Sequence, residues 1–379
     1  MFVGPKLTAD QALIVLSQAW LFARGDRKRF VRLMKTLNRL HRFRLRDTAP
    51  SIDASHVFDT LLDDATAKVR FRFTLRELNT LAVKLQLPSD GVTTAAGDRV
   101  PRVEALAMVC RRLSEASKLL TVANEFGRST SAYSRIVAAT VSLLYEKHRD
   151  LLYFHSKLLE DHIDSYCQAI RAAGAPLKTC WGFIDGSKQY IARPSARETA
   201  TIPNENLQRS VFNGHPQRHC FNWQSIQAPV GIIVSLFGPV EGRKHDSTLL
   251  SLSGVLDVMA EDAQGTFAGK LIYGDPAYGC STFVCCPATS PCAPSVEFNC
   301  RMSSLREGVE WGFGRIKVLW EFMNWDKKQR VRQAPVGLNF FTTVLLFNCH
   351  TCMQPLGNQI SMYFGLAPPT LEEYLGIDT

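Results

Sequence analysis

Three acidic residues stand where chemistry can be done. Asp185 closes the short apolar run Cys180–Ile184 and precedes Gly186, and Asp275 closes the run Lys270–Gly274 and precedes Pro276. Each thus sits where a strand runs out into a turn, the end at which side chains of neighbouring strands converge on a ligand. Carboxylates held rigidly on buried strands are hard oxygen donors suited to Mg²⁺ or Mn²⁺. Glu310 belongs to a helical pattern running from about Ser304 to Trp320. Leu305, Val309, Phe313 and Ile316 form its core stripe, and Arg306, Glu310, Gly314 and Lys317 lie beside that stripe. Three carboxylates so placed can hold two cations, one activating a water or a 3′-hydroxyl and the other stabilising the leaving oxygen. Singly, the aspartates read as turn formers and Glu310 as a surface acid; together they point to metal-dependent phosphoryl transfer. Asp246, in His245-Asp246-Ser247, is a fourth candidate ligand, although capping the short helix of Leu249, Leu250 and Leu252 accounts for it.

Strands must position these acids. Residues 218–226 and 229–237 read as two strands joined at Ala228-Pro229, and helical patterns interleave with strands from about Leu177 to residue 353. That arrangement predicts an α/β or α+β domain with a mixed sheet. Residues 1–150 read as helical, 151–176 as a connecting helix or linker, and 354–379 as a tail. Within the helical region, Thr8 with Gln11 and Thr74 with Glu77 have the form of capping boxes. Between Leu113 and Tyr145 one helical pattern ends at Gly127 and Ser129 can cap a second, the outline of a helix-turn-helix. Any αα-hairpin shares that outline. If the second helix reads DNA, Ser131 and Arg135 approach base edges while Tyr133, Ile136 and Val137 pack inward. His215, Arg218 and His219 stand among Phe212, Phe221 and Trp223, a mixture suited to single-stranded or distorted DNA. Arg243, Lys244 and Lys317 are further candidate phosphate contacts.

With 379 residues, 46% of them hydrophobic and 21% charged, the chain has the balance of an ordinary globular protein, not a disordered one. Its net charge of +9 suits a polyanionic partner. No uninterrupted apolar run reaches the length of a membrane span. The stretch Ala12–Ala23 is broken by Ser17 and Gln18 and is followed, not preceded, by basic residues, the reverse of a signal peptide. Eleven cysteines, an odd number without paired spacing, fit a reduced protein. Cys280, Cys285, Cys286, Cys292 and Cys300 match no zinc-ligand pattern.

The order of the motifs resembles the Harbinger-type DDE superfamily transposases and their nuclease-like relatives. The matching blocks are Gly182-Phe183-Ile184-Asp185-Gly186-Ser187, Phe212-Asn213-Gly214-His215 with Arg218-His219, Trp223-Gln224-Ser225, and the run from Gly238 through Arg243, Lys244, His245 and Asp246 to Ser247. Tyr273-Gly274-Asp275-Pro276-Ala277-Tyr278, Phe298-Asn299 and the run from Met302 through Arg306 and Glu310 to Gly314 follow. Glu310 comes 35 residues after Asp275, the gap of one branch of DDE enzymes. The resemblance implies an RNase H-like fold with a mixed five-stranded sheet flanked by helices, preceded by the helix-turn-helix region. It implies Asp185, Asp275 and Glu310 as catalytic ligands of Mg²⁺ or Mn²⁺, cleavage of DNA at element ends and joining to a target. It further implies a Myb-like DNA-binding partner protein, a homo-oligomer on DNA, and work in the nucleus. The alternative is a domesticated DNA-binding or scaffold protein that keeps the fold without the chemistry. A glycosidase using paired carboxylates is a more distant reading.

Overall fold

The helix α1 (Ala9–Phe22) opens at the expected capping box, in which the Thr8 hydroxyl accepts from the Gln11 amide and the Gln11 side chain accepts from the Thr8 amide. Asp26 caps α2 (Arg27–Arg39) through the amides of Lys28 and Arg29. Trp20 and Phe30 meet edge to face at 5.4 Å between the two helices. No residue of α2 is fully buried, so its arginines and lysines form a solvated basic face. These elements belong to one compact unit, Met1–Ile52, and Asp53–Thr379 form a second. The computed structural model describes residues 6–46, 51–194, 206–288, 292–354 and 358–377, with the backbone alone for 308–311.

The second unit begins with α3 (Asp64–Phe71), α4 (Leu75–Lys84), a small hairpin of β1 (Val92–Thr93) and β2 (Arg99–Val100), α5 (Arg102–Ser114), α6 (Leu119–Glu125), α7 (Thr130–Tyr153) and α8 (Ser156–Ala172). The main sheet contains β3 (Cys180–Tyr190), β4 (Phe212–Asn213), β5 (Arg218–Gln227), β6 (Ile233–Glu241), β7 (Leu271–Tyr273) and β8 (Val284–Cys285). The short α9 (Leu207–Ser210) precedes β4, and α10 (Asp246–Ser253) and α11 (Val255–Glu261) lie between β6 and β7. Then come α12 (Ala293–Leu319), α13 (Val336–Met353), α14 (Gln359–Phe364) and α15 (Leu371–Leu375).

The sheet is mixed. β3 pairs antiparallel with β5 and parallel with β7, β7 pairs parallel with β8, and β5 pairs antiparallel with β4 and β6. It has six strands where five were expected, because β4 and β6 share the outer edge of β5, one pairing at Arg218 and His219 and the other from Phe221 onward. α13, apolar on all sides, is long and apolar enough to cross a membrane, but 83% of it is buried in the fold; such all-round apolarity fits a core helix.

The helices that precede the sheet do not form a region apart from it. Residues 53–150 fold in one unit with the sheet, and α7 continues past Tyr145 because Leu144, His148 and Leu152 extend its buried face. The segment 354–379 is no loose tail: Ile360, Phe364, Leu371 and Tyr374 are all core residues. α12 starts at Ala293, well before Ser304, in a Pro- and Ser-rich stretch with the composition of a loop. Pro294 is compatible with a first helical turn, whose early N–H groups need no partner in the helix.

Candidate active site

β3 does not end at Asp185. It runs on to Tyr190, paired with β5 from Phe183 opposite Gln227 to Tyr190 opposite Cys220. What ends is its neighbour, since β7 stops at Tyr273, the register partner of Phe183. Asp185, still within β3, and Asp275, just past the end of β7, each stand two residues beyond that paired level. Within β3, residues two apart share a face, so Asp185 follows Phe183. That face is covered by α12, whose Met302 and Leu305 pack in one cluster with Phe183 and Tyr273.

The helix brings charge to the acids. Arg306 reaches Asp185, its Nη1 lying 3.6 Å from Oδ1. Glu310 follows one turn later on the same helix, but its side chain lies outside the described residues. Further along, the Lys317 ammonium is desolvated, which lowers its pKa, while the nearby Asp185 opposes that shift. Gly312 lets the helix approach β5, because a Cβ there would stand 2.3 Å from Gln227 Oε1.

Asp275 combines two roles. Its Oδ1 accepts from the Ala277 amide at 2.9 Å and caps the tight turn Pro276–Tyr278, which folds the Tyr278 ring back over Gly274. A Cβ at residue 274 would lie 2.9 Å from that ring.

Asp246 corrects the sequence expectation. It is the first residue of α10 and not its cap; His245 holds the cap position, without a side-chain hydrogen bond. The Asp246 carboxylate instead lies against Gly186, 2.9 Å from where a Cβ would be. Burial first, and then the Asp275 carboxylate, push its pKa upward, with Lys188 and His245 opposing. Tyr278 is 5% exposed and its hydroxyl has no hydrogen-bond partner, while Asp246, Asp185 and Asp275 all act on it electrostatically.

These oxygens are the donor type that a hard divalent cation takes. Among the described residues, no three His, Cys, Asp or Glu side chains already stand close enough to enclose one. The donor set fits in its chemistry, and Glu310, whose side chain lies outside the described residues, would complete it. All eleven cysteines are unpaired, and no cysteine cluster forms a metal centre among the described residues.

The basic candidates scatter. Arg218 lies seven residues along β5 from Ser225, the partner of Asp185, roughly 23 Å away at about 3.3 Å per residue. There Arg218 stacks over Tyr190 at 3.8 Å and pairs with Asp326 at 2.6 Å. His219 packs edge-on against Phe212, with burial and then Arg193 lowering its pKa. Arg218 and His219 line a cavity of about 720 Å³ with Arg193, Lys327 and Arg330. His215 is exposed on the turn before β5. Arg243 and Lys244 sit beside Glu241, at 3.8 and 3.9 Å. Of these, Lys317 is the one on which an acid of the site, Asp185, acts electrostatically.

The α6–α7 pair has the expected turn, with Ser129 accepting from Ala132 and Tyr133, Ile136 and Val137 buried. Gly127 adopts φ +58 where a Cβ would strike His56 O at 2.0 Å, so this turn is fitted to the chain before α3. Ser131 is exposed. Arg135, expected to be available for a base edge, is held instead by both oxygens of Asp98, at 2.7 and 2.9 Å. It contacts guanine only if that pair opens.

The fold and the site thus define a mixed α/β domain with one aspartate on β3 and another just past the end of its parallel neighbour β7, beside a helix whose Arg306 reaches the first. The family model for DDE superfamily endonucleases matches residues 184–348, from the residue before Asp185 to the middle of α13. That span, similar to the DDE superfamily endonuclease domain, contains Asp185, Asp275 and Glu310. No curated protein and no solved structure matches the chain significantly. Sequence reasoning had no way to single out Tyr278, whose role depends on a turn folding back. Arg306 did carry a signal, one helical turn before Glu310 on the same stripe.

Proposed function

We propose that the chain is a DNA nuclease of transposase type, in which Asp185, Asp275 and Glu310 hold Mg²⁺ or Mn²⁺. The observation that carries this reading is the register. Phe183 pairs with Tyr273, Asp185 and Asp275 each follow two residues on, and α12 brings Arg306 to Asp185 with Glu310 one turn further along the helix. When bound, such cations activate the attacking hydroxyl and stabilise the leaving oxygen of a phosphodiester. The protein's own part is placement. In this reading β3 and the turn after β7 hold two carboxylates, Glu310 on α12 is the third, and Arg306 and Lys317 draw a phosphate toward Asp185. An RNase H-like topology, membership of the Harbinger branch and nuclear work belong to the same reading, supported by the order of the motifs. So do a Myb-like partner, a homo-oligomer on DNA and a DNA-reading role for α6–α7.

The test uses the full chain and a supercoiled plasmid carrying the DNA that flanks its coding sequence. Cutting is expected with Mg²⁺ or Mn²⁺ and not with EDTA. Asp185→Ala, Asp275→Ala and Glu310→Ala should each abolish it while the unfolding midpoint stays within a few degrees of the parent. Full cutting by any one of these variants removes that residue from the site, and full cutting by all three refutes the reading.

A further inference from the structure

The fold leaves two polar groups beside Asp275 without partners. Asp246 is half-buried, yet no hydrogen bond or ion pair reaches its carboxylate among the described residues; Lys188 and His245 act on it only at longer range. Tyr278 is nineteen-twentieths buried, and its hydroxyl also has no partner. A phenol hydroxyl of this kind is costly to bury unsatisfied, and native interiors satisfy nearly all such groups. Here the two lie together. A Cβ at residue 186 would sit 2.9 Å from Asp246 Oδ1 and 3.5 Å from Tyr278 Oη.

Two glycines make the room. Gly186, next to Asp185, admits the Asp246 carboxylate, and Gly274, next to Asp275, admits the Tyr278 ring. Residue 186 faces the opposite side of β3 from Asp185. β7 stops opposite Phe183, and beyond that level Asp246, Asp185 and Asp275 all act electrostatically on Tyr278. An uncompensated carboxylate next to a second carboxylate, with an unused phenol beside both, calls for positive charge and an acceptor. A divalent cation supplies the first, and a carboxylate oriented by it supplies the second.

We propose that Asp246 is a fourth acidic ligand of the cation centre, and that Tyr278 is a positioning residue whose hydroxyl donates to the Asp246 oxygen left free by the cation. This assignment rests on Asp185 and Asp275 being cation ligands. His245-Asp246-Ser247 then serves as a third acidic motif of the site and not as a helix cap.

The experiment is Mn²⁺ binding to the full chain by calorimetry, paired with thermal unfolding in EDTA and in Mn²⁺. The variants are Asp246→Asn, Tyr278→Phe and Asp185→Asn, with Asp257→Asn on α11 as the control. Asp246→Asn should bind Mn²⁺ at least about tenfold more weakly and Tyr278→Phe up to about tenfold more weakly. Tyr278→Phe should keep the unfolding midpoint in EDTA, and Asp246→Asn should raise it, since a repelled carboxylate has gone. Asp257→Asn should match the parent throughout. If Asp246→Asn and Tyr278→Phe bind like the parent while Asp185→Asn does not, the inference falls and the nuclease reading stands. If Asp246→Asn lowers the midpoint in EDTA but keeps the full Mn²⁺-induced rise, Asp246 is only structural and the inference is overturned. If neither the parent nor Asp185→Asn shows a Mn²⁺ effect, both fall together.

Discussion

Gly186→Ala separates the demands of the sheet from those of the site. Gly186 lies within a paired stretch of β3, opposite Gln224, and is not among the glycines at positive φ. Alanine therefore adds no backbone strain, and removing a strand glycine should gain about 0.5–1 kcal/mol. The new Cβ would stand 2.9 Å from Asp246 Oδ1, whereas ordinary contact begins at 3.4 Å. The carboxylate must then retreat by about 0.5 Å, the tolerance within which a catalytic constellation works. Misplacement by about 1 Å can cost about 10²-fold, so metal-dependent cleavage should fall by about tenfold to 10²-fold in a protein at least as stable as its parent. The assay is the initial cleavage rate at saturating Mn²⁺, with the unfolding midpoint measured on the same preparation. A rate within about twofold of the parent would sink the reasoning. So would a lowered midpoint, which would place the damage in the sheet.

Two pH dependences follow from the fold. Burial, and then Arg315, Arg72 and Lys68, hold the His350 imidazole down at about 4. Its neutral form is favoured in the folded state, so its contribution is complete above the unfolded value of 6.5 and is lost as pH falls toward 4, about 3 kcal/mol in all. His350→Gln should therefore lose less stability than the parent between pH 7 and pH 4.5 in urea unfolding, and parallel losses would contradict the assignment. The Asp98 carboxyl is held at about 2, first by the Arg135 hydrogen bond and next by the Thr94 hydroxyl. The stabilisation is present above the unfolded value of 3.8 and disappears as pH falls through about 2, so Asp98→Asn should flatten the acid limb of the unfolding profile in that window.

What could be read from the chain was local. The capping boxes at Thr8 and Thr74 and the turn from Gly127 to Ser129 follow from hydrogen bonds between residues three or four apart, and the structure forms all of them. Asp185 and Asp275 were found because each follows an apolar run and precedes a turn former. The features that went unread depend on distant partners. β3 continues through Gly186–Tyr190 because β5 pairs with it there, and nothing within those residues announces that edge. Arg135 looks free until Asp98, 37 residues away, is placed beside it. Asp246 shows how sharp the limit is. A helix start shifted by one residue turns a cap into a side chain at the sheet, and composition is blind to such a shift.

The last helices set a limit on how small a working copy of this protein can be. Phe364 of α14 stacks on Phe183, two residues before Asp185, with ring centroids 6.1 Å apart. In α15, Tyr374 accepts at its hydroxyl from Asn348, and its carbonyl oxygen bonds the His155 ring. Ile360, Phe364, Leu371 and Tyr374 are all buried, at about 1.5–3 kcal/mol for each large apolar side chain, and their sum rivals the whole stability of an ordinary domain. The stretch that matches the endonuclease family stops at residue 348, before any of them. What is inherited as a recognisable domain is therefore smaller than what must fold. A chain cut after residue 348 would keep every acidic motif and lose the packing that holds them in place.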